Sequence, residues 1–332
     1  MKKNAILPAA LTGLALCLTP DAGSLCAFDA CTTAVVGAQA SADGKPIFWK
    51  NRDTESLWNK VVYVHEVPYP YLALVDAEDS TGRRAYAGLN AALFEVHNHG
   101  CKRFDATDVS ENYLINTNFS RSGKMDERTG YLRFDRATEL FQSVTKPSHV
   151  FILQRAARDP GHALLQHPTP DTWKKFEGDQ PFWIHTNHSI NRSSTASAIV
   201  VHGVRNGDDP RQATLWVVLG EPVCSVAIPL WVEAGSPPSA LSAGRKPSIC
   251  REALRMKKIL RPLQGSDRSE YADVTRLDNK GGTGWLPLLL KTEKDLLVET
   301  ETFLKTKPDA DAKKSFEGAA AARILSALQQ IH

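Results

Sequence analysis

Residues 31–53 read CTTAVVGAQASADGKPIFWKNRD, and this stretch decides how the chain begins to fold. Two mainly apolar segments, 32–40 and 46–50, are joined by a short connection that contains Asp43-Gly44. An Asp-Gly pair favours a hairpin turn because glycine tolerates a positive φ. The stretch therefore predicts two antiparallel strands, the first of which starts directly after a cysteine.

The rest of the chain divides into strand-like segments and a mainly helical end. Residues of β type dominate in the segments 61–67, 71–75, 84–96, 196–204, 213–219 and 225–232. Apolar residues at helical spacing predict helices over 135–144, 248–260, 288–304 and 312–331. Strands followed by helices predict a single α+β domain over residues 31–332, in which sheet faces and helix stripes cover each other.

Residues 1–30 have a different character. Lys2 and Lys3 precede an apolar run from Ala5 to Leu18, and small or polar residues follow. This order is typical of a secretory signal peptide, so we expect an exported protein, periplasmic or secreted. Nothing later in the sequence reaches the roughly 18 consecutive apolar residues of a transmembrane helix, so we expect no membrane span.

Cleavage after Ala30 would make Cys31 the first residue of the mature protein. An unperturbed α-amino group has a pKa of about 7.7 to 8.0 and a free thiol about 8.5. One terminal cysteine therefore offers both a nucleophile and a base near neutral pH. If the cut falls after Ala22 or Ala27 instead, a short pro-segment must still be removed, for example by autoprocessing.

Five short motifs carry a resemblance to a known family. Residues 31–37, 42–44 and 49–53 resemble the opening of the cysteine N-terminal-nucleophile (Ntn) hydrolases, with weaker matches at 88–90 and 185–188. The chain is most similar to the penicillin acyltransferase-like group, and choloylglycine hydrolases and secreted dipeptidases are neighbouring branches. The resemblance implies a four-layer αββα sandwich of two mainly antiparallel sheets, with the mature amino terminus at a strand end.

The resemblance also implies roles for individual residues. Cys31 matches the nucleophile, whose α-amine takes the thiol proton and later protonates the leaving nitrogen. Asp53 matches the aspartate that holds this amine by a charge-assisted hydrogen bond. Asn187 matches the amide that donates to the tetrahedral oxyanion, and Asn90 resembles a second asparagine near the same hole.

The sequence does not decide which basic residue supports the nucleophile. Arg251 matches a late arginine of the family, with Arg255 as the alternative. Relatives commonly carry arginine before the Asn-x-Asp step, whereas this chain has Lys50 there and Arg52 inside the step. Without the resemblance, Arg52 and Asp53 would read as a surface ion pair at a strand end, and Arg251 as a structural residue.

Two other groups of residues suggest different roles. His97, His99 and Cys101 alternate along one segment, so in a strand they would share a face and could hold a metal. That site would suit an exported binding protein without catalytic activity, which is the alternative function. The basic run from Arg255 to Arg261 reads as the solvated face of a helix.

The remaining cysteines, the net charge and the absence of certain motifs bear on three other classes of site. Of the cysteines after residue 30, one bridge among Cys101, Cys224 and Cys250 is conceivable, which would leave Cys31 free. A net charge of +3 and the absence of interleaved basic and aromatic residues give no support for nucleic-acid binding. The sequence contains no Gly-x-Ser-x-Gly elbow and no Gly-rich phosphate loop.

These observations predict a thiol amidohydrolase or acyltransferase that cleaves a linear amide, either non-peptide or a short peptide. Its partner would be a small-molecule substrate, and the chemistry needs no metal or organic cofactor. The oligomeric state, including a homo-oligomer, stays open.

Overall fold

A computed structural model describes most of the chain after residue 30. The described residues are 31–65, 69–79, 81–82, 84–90, 112–117, 130–263, 265 and 268–331, together with the backbone at 14–16 and 102–104. Within them the chain forms an α+β structure, and the strands of every sheet pair in antiparallel fashion. The predicted α+β class is therefore confirmed.

The strands are, in chain order, β1 Leu14–Leu16, β2 Thr32–Val36, β3 Ile47–Asp53, β4 Asn59–Val64, β5 Tyr71–Asp76, β6 Ala87–Asn90, β7 Lys102–Phe104, β8 Tyr113–Thr117, β9 Trp183–His185, β10 Thr195–His202, β11 Thr214–Leu219, β12 Ile228–Leu230 and β13 Tyr271–Asp273. The α-helices are α1 Gly130–Gln142, α2 His149–Gln154, α3 Pro170–Trp173, α4 Ser239–Ser242, α5 Ser248–Leu260, α6 Leu286–Lys305 and α7 Ala310–Gln329. Short 3₁₀ turns lie between several of these elements.

The hairpin of β2 and β3 lies in the middle of a six-stranded sheet. Its strand order is β12-β11-β10-β3-β2-β8. A smaller sheet has the order β4-β5-β6, and β13-β9 and β1-β7 are two-stranded. Gly44 has φ 74° in the turn of the hairpin, which is the conformation that the Asp-Gly pair predicts.

The six-stranded sheet has a hydrophobic cluster on each face. On one face, side chains such as Trp49 and Ala198 pack with α1, α2 and Leu297 of α6. On the other face, Val35 and Phe48 belong to a larger cluster that includes residues of the smaller sheet, α5 and α7. Because side chains alternate along a strand, neighbouring residues of β3 enter different clusters. This alternation decides where the polar residues of β3 lie.

The helix predictions agree closely with the structure near the end of the chain. The bounds 248–260 are those of α5, α6 extends the prediction at both ends, and α7 begins and ends two residues earlier than predicted. The predicted helix at 135–144 starts earlier, since α1 covers Gly130–Gln142. In the described part of the chain, no helix is both long and apolar enough to cross a membrane.

The basic run on α5 is not simply a solvated face, and that prediction was wrong for two of its residues. Lys257 and Arg261 are buried, and both pair with the fully buried Glu221. Lys257 Nζ lies 3.3 Å from Glu221 Oε2, and Arg261 Nη2 lies 2.7 Å from Glu221 Oε1. Glu221 lies just after β11, in a segment distant in the sequence, so its position could not be inferred from the helix alone.

Candidate active site

The β2–β3 hairpin brings Cys31 and Asp53 to the same end of the six-stranded sheet. Cys31 directly precedes β2, and Asp53 is the last residue of β3. The antiparallel register pairs Thr32 with Asn51, so Cys31 is level with the end of β3. The Cys31 side chain is buried, with 9% of its surface exposed in the full-length chain. The Asp43-Gly44 turn lies at the opposite end of the hairpin.

Asp53 is fully buried, and both of its carboxylate oxygens have partners. Oδ1 accepts a hydrogen bond of 2.6 Å from the Thr195 hydroxyl. Oδ2 accepts a hydrogen bond of 3.1 Å from Arg192 Nε and lies 3.5 Å from Arg133 Nη1. A buried carboxylate costs free energy unless it is paired, and here two guanidinium groups and a hydroxyl offset that cost.

Arg133, on α1, connects this carboxylate to the start of β2. Its Nη1 donates a hydrogen bond of 3.2 Å to Thr32 Oγ1. Burial and the charge of Arg192 lower the pKa of Arg133 to about 10, while the charges of Asp53 and Cys31 act to raise it. Arg133 and Cys31 therefore interact electrostatically.

Arg192 connects the same carboxylate to Asn187. Its Nη1 donates a hydrogen bond of 2.9 Å to the backbone carbonyl of Asn187. Asn187 is half-buried and lies in the turn that follows β9. The structure therefore brings the nucleophile candidate, Asp53 and Asn187 into one region through two arginines.

Lys50 and Arg52 lie on the other face of β3. Arg52 is buried, bonds Asp76 at 2.9 Å and lies 3.3 Å above the centre of the Tyr86 ring. Lys50 Nζ donates a hydrogen bond of 3.1 Å to the Tyr86 carbonyl. The reading of Arg52 and Asp53 as a surface ion pair is therefore wrong, because strand alternation turns their side chains to opposite sides.

Arg251 and Arg255 occupy the outer side of α5. The Arg251 side chain is 54% exposed and pairs with Glu252 at 3.2 Å. Arg255 also pairs with Glu252, and its Nη2 donates hydrogen bonds to the Leu328 and Ile331 carbonyls. The structure does not bring Arg251 to Asp53.

Asn90 is the last residue of β6 in the smaller sheet. It is half-buried and pairs in register with Tyr71. Its assignment to the oxyanion hole stays a prediction that the resemblance implies.

Arg133, Arg192 and Thr195 were missed as functional candidates from the sequence. Arg192 lies five residues after Asn187, so the weak motif at 185–188 pointed to its neighbourhood without including it. Arg133 had no comparable signal, because its contact with Asp53 depends on how α1 packs on the sheet.

Two further cysteines, Cys224 and Cys250, lie within the described residues. Neither forms a disulfide, so the bridge that the sequence left conceivable among Cys101, Cys224 and Cys250 is not formed. Burial raises the pKa of Cys224 well above its ordinary range and that of Cys250 to about 11. These two thiols are therefore poor nucleophiles near neutral pH. The proposed metal ligands His97, His99 and Cys101 lie outside the described residues.

No protein-family model matches the chain, and no curated protein matches it in sequence.

Proposed function

We propose that this protein is an exported cysteine Ntn hydrolase, a thiol amidohydrolase or acyltransferase acting on a linear amide. The observation that carries the proposal is a series of interactions at one end of the hairpin. Cys31 and Arg133 interact electrostatically, Arg133 and Arg192 pair with Asp53, and Arg192 donates a hydrogen bond to the Asn187 carbonyl. These are the residue types that acyl transfer needs: a thiol, a buried cation next to it, a fixed carboxylate and an amide donor.

The reaction would start when removal of residues 1–30 leaves Cys31 with a free α-amine. The amine takes the thiol proton, and the thiolate attacks the carbonyl carbon of the substrate. The negative charge moves to the carbonyl oxygen, where the side-chain amide of Asn187 donates a hydrogen bond. The carbon–nitrogen bond then breaks, and the leaving nitrogen takes the proton held by the amine.

The product of that half-reaction is an acyl-thioester on Cys31. Attack by water on this thioester releases a carboxylic acid and restores the thiol, which is hydrolysis. Attack by a second amine instead gives a new amide, which is acyl transfer. No metal or organic cofactor enters either step.

Arg133 is the cation that we assign to the support of the nucleophile. It interacts with Cys31, whereas Arg251 is exposed on α5. Asp53 pairs with both Arg133 and Arg192, so its carboxylate orients both guanidinium groups and offsets one of their two positive charges. In this arrangement the Asp53 carboxylate accepts a hydrogen bond from the terminal amine and also holds the two arginines.

The four-layer αββα sandwich is part of the same proposal. The six-stranded sheet packs with α1 and α2 on one face, and its other face shares a cluster with the smaller sheet. Two antiparallel sheets with helices outside them would follow from this arrangement. An exported location follows from the reading of residues 1–30 as a signal peptide.

The test is a panel of linear amides assayed for released amine. The panel contains acylated amino acids, β-lactam-like amides, bile-salt-type conjugates and dipeptides. We expect wild-type protein to cleave at least one class, and Cys31→Ala to lose at least about 10³-fold in rate, because the nucleophile is gone. The matched control is Cys250→Ala, which removes a buried thiol elsewhere and should retain the activity.

Full activity of Cys31→Ala on every amide that the wild type cleaves would overturn the proposal. Cleavage of none of the four classes by the correctly processed wild type would also count against it.

A further inference from the structure

Three metal-ligating side chains converge at the turn end of the hairpin, opposite Cys31. Asp43 comes from the β2–β3 turn, His149 from the start of α2 and His202 from the end of β10. His202 Nε2 lies 2.8 Å from Asp43 Oδ2, and the rings of His149 and His202 stack with their centres 3.8 Å apart. One ligand atom from each of the three residues lies within 4.8 Å of the other two.

His149 has a nitrogen that the protein leaves unsatisfied. The residue is buried, and within the described part of the chain its Nδ1 has no hydrogen-bond partner. A buried polar atom without a partner costs free energy, because its hydrogen bond to water is lost and not replaced. Such a cost is usually retained only where something binds to the group.

The same three residues line a cavity of about 440 Å³. Trp216 and Thr300 also line it, and Trp216 Nε1 and Thr300 Oγ1 likewise lack partners among the described residues. Lys45 and Lys305 contribute positive charge to the cavity wall. Three unsatisfied polar groups around one cavity point to a polar ligand inside it.

A purely structural role explains only part of this arrangement. The hydrogen bond between Asp43 and His202 fastens the hairpin turn to β10, and that alone would be a sufficient reason for the pair. It does not account for the unsatisfied nitrogen of His149 or for the cavity beside it. Two imidazoles and one carboxylate are the ligands that zinc and similar ions take in proteins, whereas calcium and magnesium prefer oxygen atoms alone.

We propose that Asp43, His149 and His202 bind one divalent transition-metal ion of the zinc class. Three protein ligands leave a further coordination position, which faces the cavity and takes water or a small anion. Trp216 Nε1 and Thr300 Oγ1 then hydrogen-bond that exogenous ligand. The ion clamps the turn, α2 and β10 together, and it lies at the far end of the sheet from Cys31.

The experiment measures Zn²⁺ binding by equilibrium dialysis and elemental analysis, in a Cys31→Ser background so that this thiol does not contribute. The variants are Asp43→Asn and His202→Ala, and the control is Asp208→Asn, an exposed carboxylate that lines the same cavity. We expect one equivalent of zinc in the parent and in Asp208→Asn. Asp43→Asn should bind at least about 10-fold more weakly, the usual order for loss of a group that supports a metal site.

A second measurement keeps the result interpretable if His202→Ala folds poorly. Zn²⁺ should raise the melting temperature of the parent and of Asp208→Asn, because a ligand that binds only the folded state stabilises it. The melting temperature of Asp43→Asn should rise much less. Equal zinc binding by the parent and Asp43→Asn, or no binding by the parent, would overturn the proposal.

Discussion

The buried Asp53 carboxylate at one end of the β2–β3 hairpin and the buried His149 imidazole at the other end differ in how their polar atoms are paired. At the Cys31 end, every oxygen of the Asp53 carboxylate is paired, with Thr195, Arg192 and Arg133. At the turn end, the His149 nitrogen next to Asp43 has no partner within the described residues. Satisfied charges hold side chains in fixed positions, whereas unsatisfied groups mark a place for a ligand.

The two proposals use this difference. In the proposed function, the paired side chains around Asp53 are organised in advance for chemistry on a bound substrate, because they need no reorganisation during reaction. In the proposed metal site, the group around His149 is completed only when a ligand binds. The following variants test whether the two ends differ in this way.

The largest effect on stability is expected at the paired end. Asp53→Asn leaves Arg133 and Arg192 buried without a counter-charge, so unfolding free energy should fall by about 3 to 5 kcal/mol. Asp43→Asn replaces the charged acceptor of the His202 hydrogen bond by a neutral amide oxygen, at a side chain that is 33% exposed, so it should cost about 1 kcal/mol. Urea unfolding of both variants near pH 7 measures the difference.

Equal losses for the two aspartate variants would contradict the contrast between the ends. The comparison is matched, since each change replaces one carboxylate by the amide of the same size.

Asn187→Ala tests the oxyanion assignment. Loss of one amide donor typically raises the barrier by about 3 kcal/mol, so kcat should fall by about 10² while KM changes little. The measurement uses the amide of the panel that the wild type cleaves fastest. Asn206→Ala, in an exposed turn, is the control and should leave kcat unchanged. An unchanged kcat in Asn187→Ala would remove Asn187 from the site.

His149 makes the turn end sensitive to acid. Burial and the charge of His202 lower the pKa of His149 to about 3, although the charge of Asp43 opposes them. In the unfolded chain, His149 takes up a proton as the pH falls below about 6.5, whereas in the folded protein it stays neutral. The unfolding free energy of the metal-free protein therefore falls from pH 6.5 downward. Between pH 6.5 and 4.5, His149 should lower the unfolding free energy by about 2 kcal/mol.

His149→Gln should remove that part of the pH dependence of the unfolding free energy. His65→Gln, an exposed histidine, is the control and should follow the wild type. A His149→Gln protein whose stability falls as steeply as that of the wild type would show that other groups govern the acid response.

The smallest effect is expected for the arginine that the family motif suggested. Arg251 is exposed on α5, so Arg251→Gln should change kcat/KM by less than about twofold, as for an ordinary surface substitution. Arg133→Gln, in contrast, should lower kcat/KM strongly, because the cation that interacts with Cys31 is lost. A large loss of kcat/KM in Arg251→Gln would instead support Arg251 as the cation that assists Cys31.

Local signals in the sequence predicted much of this fold. The bounds of α5 and the Asp43-Gly44 turn follow from apolar spacing and from glycine geometry, which depend only on near neighbours. The pairing of Lys257 and Arg261 with Glu221 could not be predicted, because it depends on packing between distant segments.

The same limit applies to the two sites. Cys31, Asp53 and Asn187 lie in motifs that a family resemblance can supply, so they were predicted as candidates. Arg133 reaches Asp53 from a different element, and the proposed metal site combines Asp43, His149 and His202 from three elements. No short motif contains either group. Only the three-dimensional packing brings these side chains together.

The most direct test of the central claim is the mass of the mature protein recovered from an exporting host, before and after treatment with formaldehyde. A terminal cysteine with a free amine condenses with an aldehyde through both its nitrogen and its sulfur, with loss of water. We predict a chain that starts at Cys31 and carries this ring. A terminus that starts upstream of Cys31, or is blocked or lipidated, would contradict the account.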